Sequence, residues 1–460
     1  MASISLNKMI LFLISLVQVI LCLILPNEIL KEIVHLLFLI QFVFGLLVFR
    51  DHNNKWYFVF SPSFLLFLYV NINVFLGAYS LKENICLELY LHRSISYNLI
   101  SNLNIPYAYM AICSLVSILV LQRQSNDELE IKSNKKNLDK AFYLKISVFM
   151  FLLMIFSLLK VDLSIIGGAG DFSVIPKSIA SLLLFYELSR VKHKYRYFFY
   201  ALVLIIFVFT NFESKREAVF MLIPILFLEN IFGNVRTFSF SLKKIFIGTF
   251  SIIVLVYALL VMTIARGFGG YDVSNPLNSV KYVKNLLNDF NVKGLLFTIS
   301  EAPTTTYVSI KAISLVSQSA DLLTYGATYW KLFFIPIPRS LFEEKPLSMT
   351  SIYTKIEDPG FYGIGGSLPI NIFAEAFWNF HFFGIIFIGF IIYFLNKSYS
   401  KMITVIQLNK ISPLVAGYLF AFTYLIGFYR GFGFDLYCIN VILGFFFSIV
   451  FYKIFNLFLK

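Results

Sequence analysis

Charge is what this sequence has little of. Of its 460 residues only 14% are Asp, Glu, Lys or Arg, against about 25% in an ordinary soluble domain, while 59% are hydrophobic and 18% aromatic. So much apolar surface cannot be hidden in one core. A soluble globular protein is therefore excluded, and the bilayer is left as the solvent. Cysteine is scarce too: Cys22, Cys86, Cys113 and Cys438 are scattered, three of them in apolar runs, and no CxxC pair occurs. That spacing indicates neither a disulfide scaffold nor a zinc site, and buried, inert thiols are expected. No GxxxxGK[ST] element is present, so ATP-driven chemistry has no support. No set of His, Asp and Glu has metal-ligand spacing, and no metal or other cofactor is expected. Internal repeats and low-complexity tracts are absent as well.

What is present is a series of apolar runs. A helix crossing about 30 Å of hydrocarbon needs roughly 17–25 residues. Runs of that kind lie near 9–25, 30–49, 57–78, 105–121, 141–159, 173–189, 197–212, 217–233, 244–264, 369–395, 411–429 and 434–458. The expected fold is an all-α polytopic integral membrane protein with about twelve transmembrane helices. The first run follows Lys8 and lacks a small-x-small cleavage site, so it reads as a retained helix and not a signal peptide.

The net charge of +13 is distributed by topology, which argues against nucleic acid as the partner. With the N-terminus in the cytoplasm, the inside loops are 50–55, 122–140, 190–196, 234–244 and 396–410. With the termini these carry about 20 Lys and Arg, against about 7 in the short outside connections. Both termini are therefore expected inside. One loop stands apart, residues 265–369, between nine helices in 1–264 and three in 370–460. It is too long and too apolar to be a disordered connection. It is expected to be a folded extracytoplasmic cap whose helices pack on the membrane face. Residues 303–319 have the apolar spacing of a one-sided helix, and 325–336 read as a second helix with Tyr329 and Trp330 suited to the membrane–water interface.

Four arginines fall on the wrong side of the orientation bias: Arg216, Arg266, Arg339 and Arg430. Each lies at an outer helix end or in the cap. For any one of them, snorkelling to headgroups is an equal explanation; four at one face call for more. The planar guanidinium grips phosphate oxygens bidentately and keeps its charge, so the cluster suits a phosphate or diphosphate, with a lipid-linked diphosphate as the natural ligand. Lys215, beside Arg216, joins this set. Arg339 is presented by "IPIPRSLFEEKP", where two prolines stiffen an extended segment and Lys345-Pro346 closes it. The glycine-rich "GFYGIGGSLP" (360–369) leads into the next helix and reads as a flexible turn before it reads as an anion cradle.

Among the carboxylates, Glu375 is placed about two turns inside an apolar helix, with Asn379 one turn on. A carboxylate at that depth is a functional candidate, either as a base or as a partner for one of the outer arginines. Glu301, Asp435 and Glu217 are outer-face acids with weaker claims, Glu301 being the second candidate base. His381 reads as a packing residue before a catalytic one. Tyr325, Tyr329, Trp330 and Tyr362 are candidates for stacking on sugars, with interfacial anchoring at least as good an explanation.

The stretches "SKREAVFMLIPILF" (214–227), "YGATYWKLFFIPIPRSLFEEKP" (325–346), "AEAFWNFHFFG" (374–384) and "YRGFGFD" (429–435) together resemble the oligosaccharide repeat-unit polymerases, the Wzy-type O-antigen and capsule polymerases of bacteria. The resemblance covers the whole chain as architecture and these four patches as sequence. It implies a metal-independent glycosyltransferase at the outer face of the inner membrane. That enzyme would transfer a growing glycan from undecaprenyl diphosphate to the non-reducing end of a new lipid-linked repeat unit. A length regulator and a flippase would be its partners. It implies that Arg216, Arg339 and Arg430 hold donor or acceptor diphosphates. Arg266 is a weaker match in the same role, Arg339 also assists leaving-group departure, and Glu375 and Asn379 fill the Glu-x-x-x-Asn positions. At His381 the family more usually has glycine, which weakens a catalytic part for it.

Two other readings stay open. An O-antigen ligase shares the large outside loop and its arginines but hands the glycan to a lipid core. A lipid-linked oligosaccharide flippase also carries cationic residues, but needs a central cationic cavity and two similar halves. This chain concentrates its features in one cap and shows no repeat.

Overall fold

Polar side chains point inward and pair across helices, while the exposed faces are apolar. The computed structural model describes residues 6–50, 60–85, 95–120, 140–158, 174–190, 195–210, 215–232, 300–335, 337, 341, 342, 344–407 and 414–459, with Tyr257 and Val261. These residues are helical and contain no strand. The chain opens with α1 (Leu6–Ile24) and α2 (Asn27–Arg50), followed by α3 (Pro62–Lys82), which begins with proline where its missing N–H has no intrahelical partner to lose. Next come α4 (Asn104–Leu119), α5 (Lys140–Leu158), α6 (Val174–Ser189), α7 (Arg196–Thr210) and α8 (Lys215–Ile231).

Among the described residues, five helical stretches are long and apolar enough to cross a membrane by length and composition: Leu6–Ile24, Asn27–Val48, Pro62–Lys82, Ile372–Ile406 and Phe434–Ile454. Their outward residues are apolar, as at Leu13 and Val17 on α1. Inside, Gln41 donates to Ser15 at 2.9 Å, Asn71 to Ser114 at 2.6 Å, and Asn396 to Ser63 at 3.0 Å. Apolar outer faces with polar residues joining neighbouring helices are the pattern of helices packed in lipid, where the hydrophobic effect does not drive helices together. The chain is a helical membrane protein. All described residues of α6 are buried, and it packs among α5, α7, α8 and the last two helices.

The segment between the early and late helices departs from its expected form. Helix α9 (Ala302–Gln318) was expected to bury one face; instead Thr304, Thr305, Thr306, Ser309 and Ser314 are buried along with its apolar residues. It inserts against α3 and α4, so polar and apolar faces both meet protein. Asn73 of α3 is its anchor, donating to Thr305 at 2.8 Å and to Thr306 at 3.2 Å. A Cβ at Gly77 would lie 2.2 Å from the Thr306 hydroxyl, so the two helices touch there only because residue 77 has no side chain.

Three short helices follow: α10 (Ala327–Phe334), α11 (Met349–Glu357) and α12 (Pro359–Gly363). Ser348 and Asp358 cap the second and third, accepting from Ser351 N–H and Phe361 N–H. An ion pair between Lys311 and Glu357 ties α11 to α9.

The expected continuous helix over 369–395 is broken. It consists of α13 (Ile372–Phe380), a single 3₁₀ turn (His381–Phe383) and α14 (Gly384–Gln407). The reason lies in the backbone hydrogen bonds. The Trp378 carbonyl, which a continuous helix would pair with residue 382, accepts from Thr324 N–H at 3.2 Å. His381 turns the chain at φ 51, ψ −135. The helix also starts at Ile372, so Glu375 falls in its first turn and not two turns into a longer helix. The chain ends with α15 (Leu414–Arg430) and α16 (Phe434–Leu459), a closely packed antiparallel pair. The expected run 244–264 lies outside the described residues apart from Tyr257 and Val261.

Candidate functional site

The turn between α15 and α16, Arg430 to Asp435, is where the candidate residues meet. Helix α15 ends on Arg430, a cation placed favourably against the helix C-terminus. Gly431 and Gly433, at φ 134 and φ 82, then reverse the chain. Gly431 touches the backbone of Ile370: a Cβ there would stand 2.6 Å from the Ile370 carbonyl oxygen and 2.7 Å from its nitrogen. Only glycine supplies both that conformation and that approach.

On one side of the turn lies a cavity of about 240 Å³. Arg430 forms an ion pair with Glu301 on its wall. Glu301 precedes α9 in a left-handed conformation, φ 55, ψ 6, and its carboxylate does not cap its own helix. Thr304, Thr305, Thr350 and Ser367 also line the cavity. The end of the glycine-rich 360–369 stretch, through Ser367, Leu368 and Pro369, thus forms a wall of the same space as Arg430 and Glu301, a juxtaposition no local motif announced.

On the other side the polar groups are matched to one another. Glu375 is buried and accepts from Phe434 N–H at 3.2 Å and from the Thr328 hydroxyl at 3.3 Å. The first of these donors is the opening N–H of α16, so a carboxylate from α13 supplies an anionic cap to another helix. Asn379 donates to Thr328 Oγ1 and to the Glu375 carbonyl, both at 2.8 Å, and accepts from the Thr324 hydroxyl at 2.9 Å. Its amide therefore ties α10 to α13 and is not turned toward the cavity. Lys331 of α10 pairs with buried Asp435 at 2.5 Å. Tyr329 packs among Phe380, Phe387 and Phe434, and its hydroxyl has no hydrogen-bond partner among the described residues. Burial, reinforced by the charge of Glu375, pushes its phenol well above the usual range, so it stays neutral.

The sugar-stacking candidates thus separate. Tyr325 and Trp330 are exposed, at 77% and 61%, whereas Tyr329 is closed off inside an aromatic cluster and Asn379 is committed to Thr328 and Thr324. Of the arginines, Arg430 is the one whose side chain is placed. Arg266 and Arg339 lie outside the described residues, and Lys215 and Arg216 begin α8 with side chains outside them as well. The flanks of Arg339 are described, however. The ammonium of buried Lys345 donates to the carbonyls of Ile335 and Ile337 at 3.0 and 3.1 Å.

Sequence reasoning missed Lys331 and the threonines. Lys331 carried a signal, being the one charge inside the apolar octet "ATYWKLFF". Thr328, Thr304 and Thr350 carried none. Among the described residues no group of three or more His, Cys, Asp or Glu is placed to hold a metal ion. In chemical terms the cavity offers a guanidinium able to bind an oxyanion and a carboxylate able to take a proton. No family model, curated protein or solved structure matches this chain.

Proposed function

We propose that this protein polymerises lipid-linked oligosaccharide repeat units, moving a growing glycan from undecaprenyl diphosphate onto the non-reducing end of a new lipid-linked unit. In this reading about twelve spans cross a bacterial inner membrane with both termini cytoplasmic, and residues 265–369 form the extracytoplasmic cap. The observation that carries it is the meeting of Arg430, Glu301 and the 367–369 turn around one cavity. Cleaving a sugar–diphosphate bond builds negative charge on the departing oxygen, and a preorganised guanidinium stabilises it without a metal. The attacking hydroxyl passes its proton to a carboxylate within reach, and Glu301 lines the same space as Arg430. Tethering both substrates to the membrane by lipid supplies much of their proximity.

The test is the glycan profile of cells lacking the gene, restored with wild-type or variant protein. Single repeat units on the acceptor support polymerisation; acceptor without glycan points to a ligase, and intermediates trapped in the cytoplasm point to a flippase. Arg339→Ala is expected to abolish long chains while the protein still inserts, and Arg339→Lys to restore them only in part, because lysine lacks the bidentate fork. A normal ladder from Arg339→Ala would remove Arg339 from the mechanism.

A further inference from the structure

The cavity wall already contains an anion. Among the described residues Glu301 and Arg430 are the only ionisable ones lining it, and they pair with each other, so their charges offset there. An incoming phosphate group therefore meets a guanidinium whose face is in use. Glu301 sits there in a backbone conformation that residues with a Cβ rarely adopt, at φ 55. It occupies the N-cap position of α9, where an acidic side chain would ordinarily accept from its own helix, yet it makes no such bond. Its carboxylate meets Arg430 on the cavity wall instead. Arginine receives carboxylates and phosphates through the same donor fork, so Glu301 holds the place a phosphate would take.

We propose that Glu301 is the resident anion of a phosphate subsite on Arg430, and that a phosphate-bearing headgroup enters the cavity by displacing that carboxylate. This rests on the reading of the cavity as part of a lipid-diphosphate site. Exchange of one anion for another keeps the guanidinium paired throughout, which matters because an uncompensated buried charge is strongly unfavourable. It also leaves the freed carboxylate beside the bound headgroup, as an acceptor for a substrate hydroxyl. The volume of about 240 Å³ lies below the roughly 300–1,000 Å³ of pockets that enclose drug-sized ligands, so a headgroup fits while a lipid tail remains outside.

The experiment is calorimetric titration of the full-length protein in lipid nanodiscs with two probes, inorganic pyrophosphate and farnesyl diphosphate. Wild type is compared with Glu301→Gln, Glu301→Gly and Arg430→Gln. Removing the resident anion is expected to tighten binding about tenfold, or 1.4 kcal/mol, in both Glu301 variants, and Arg430→Gln to remove it. Glycine accepts φ 55 without strain, so Glu301→Gly guards against a glutamine variant that folds poorly. Equal or weaker binding by both Glu301 variants, with wild-type binding intact, overturns the exchange and leaves the diphosphate reading standing. No binding of either probe by wild type or the Glu301 variants overturns both together. Within a positive result, tighter binding of farnesyl diphosphate than of pyrophosphate assigns the subsite to a lipid headgroup, and equal binding assigns it to free phosphate.

Discussion

The turn from Arg430 to Asp435 separates two regions made from the same ingredients, one basic side chain with two buried carboxylates on one side and one on the other, but finished differently. On the Glu375 side, each carboxylate has a protein partner: Phe434 N–H and the Thr328 hydroxyl for Glu375, Lys331 for Asp435. Packing fills the remainder with Tyr329, Phe380 and Phe387. On the Glu301 side, the ion pair stands on the wall of a cavity. A carboxylate matched to donors on neighbouring helices positions those helices. A carboxylate paired at a cavity wall can exchange its partner. The difference lies in access and not in residue type.

The strongest way to break this arrangement is to remove the wall both regions share. Gly431→Ala places a methyl group 2.6 Å from the Ile370 oxygen at φ 134. Overpacking and backbone strain together are expected to cost about 4 kcal/mol, read as a sharp fall in melting temperature in detergent and loss of activity. A variant that melts with the wild type would show that the two loops do not need their close contact.

The next pair of variants sharpens the comparison itself. Lys331→Met strands buried Asp435 in a filled region, which is expected to destabilise by about 3–5 kcal/mol. Arg430→Met likewise takes away the guanidinium paired with Glu301. There, however, the cavity has room for water to solvate the carboxylate, and the expected cost falls to about 1–3 kcal/mol. Thermal melts of the two variants side by side decide the matter: equal losses would mean that the cavity gives Glu301 no relief.

Much of this was legible from residue types and spacing. The apolar runs located the described helices, and Pro303 marks the start of α9. Depth along an apolar run, however, ranked Glu375 above Glu301, because the sequence could not reveal that the helix starts only at Ile372 and leaves Glu375 in its first turn. Nor could it show that Glu301, far from Arg430 along the chain, would pair with it on the wall of one cavity. Such pairings are set by the tertiary packing of α9 against α3, which rests on Asn73, Gly77 and two threonines with no distinctive motif. The one-sided spacing of α9 misled for a related reason. Its serines and threonines are small enough to bury against neighbouring helices, so a polar face did not mean an exposed one.

The smallest expected effect concerns the break itself, on the filled side. His381 carries φ 51 and ψ −135, a conformation that favours glycine, while its ring packs on Phe377 and Phe382 at centroid distances of 4.5 and 4.7 Å. Two opposing terms are therefore present, backbone strain of about 1–3 kcal/mol and ring contacts of about 0.5–1.5 kcal/mol. Glycine removes both and is expected to stabilise by about 1 kcal/mol, raising the melting temperature slightly. Alanine keeps the strain and loses the contacts, so it is expected to destabilise. If His381→Gly and His381→Ala melt together below wild type, the ring contacts and not the backbone govern the turn, and the break depends on what packs around His381 rather than on the conformation it adopts.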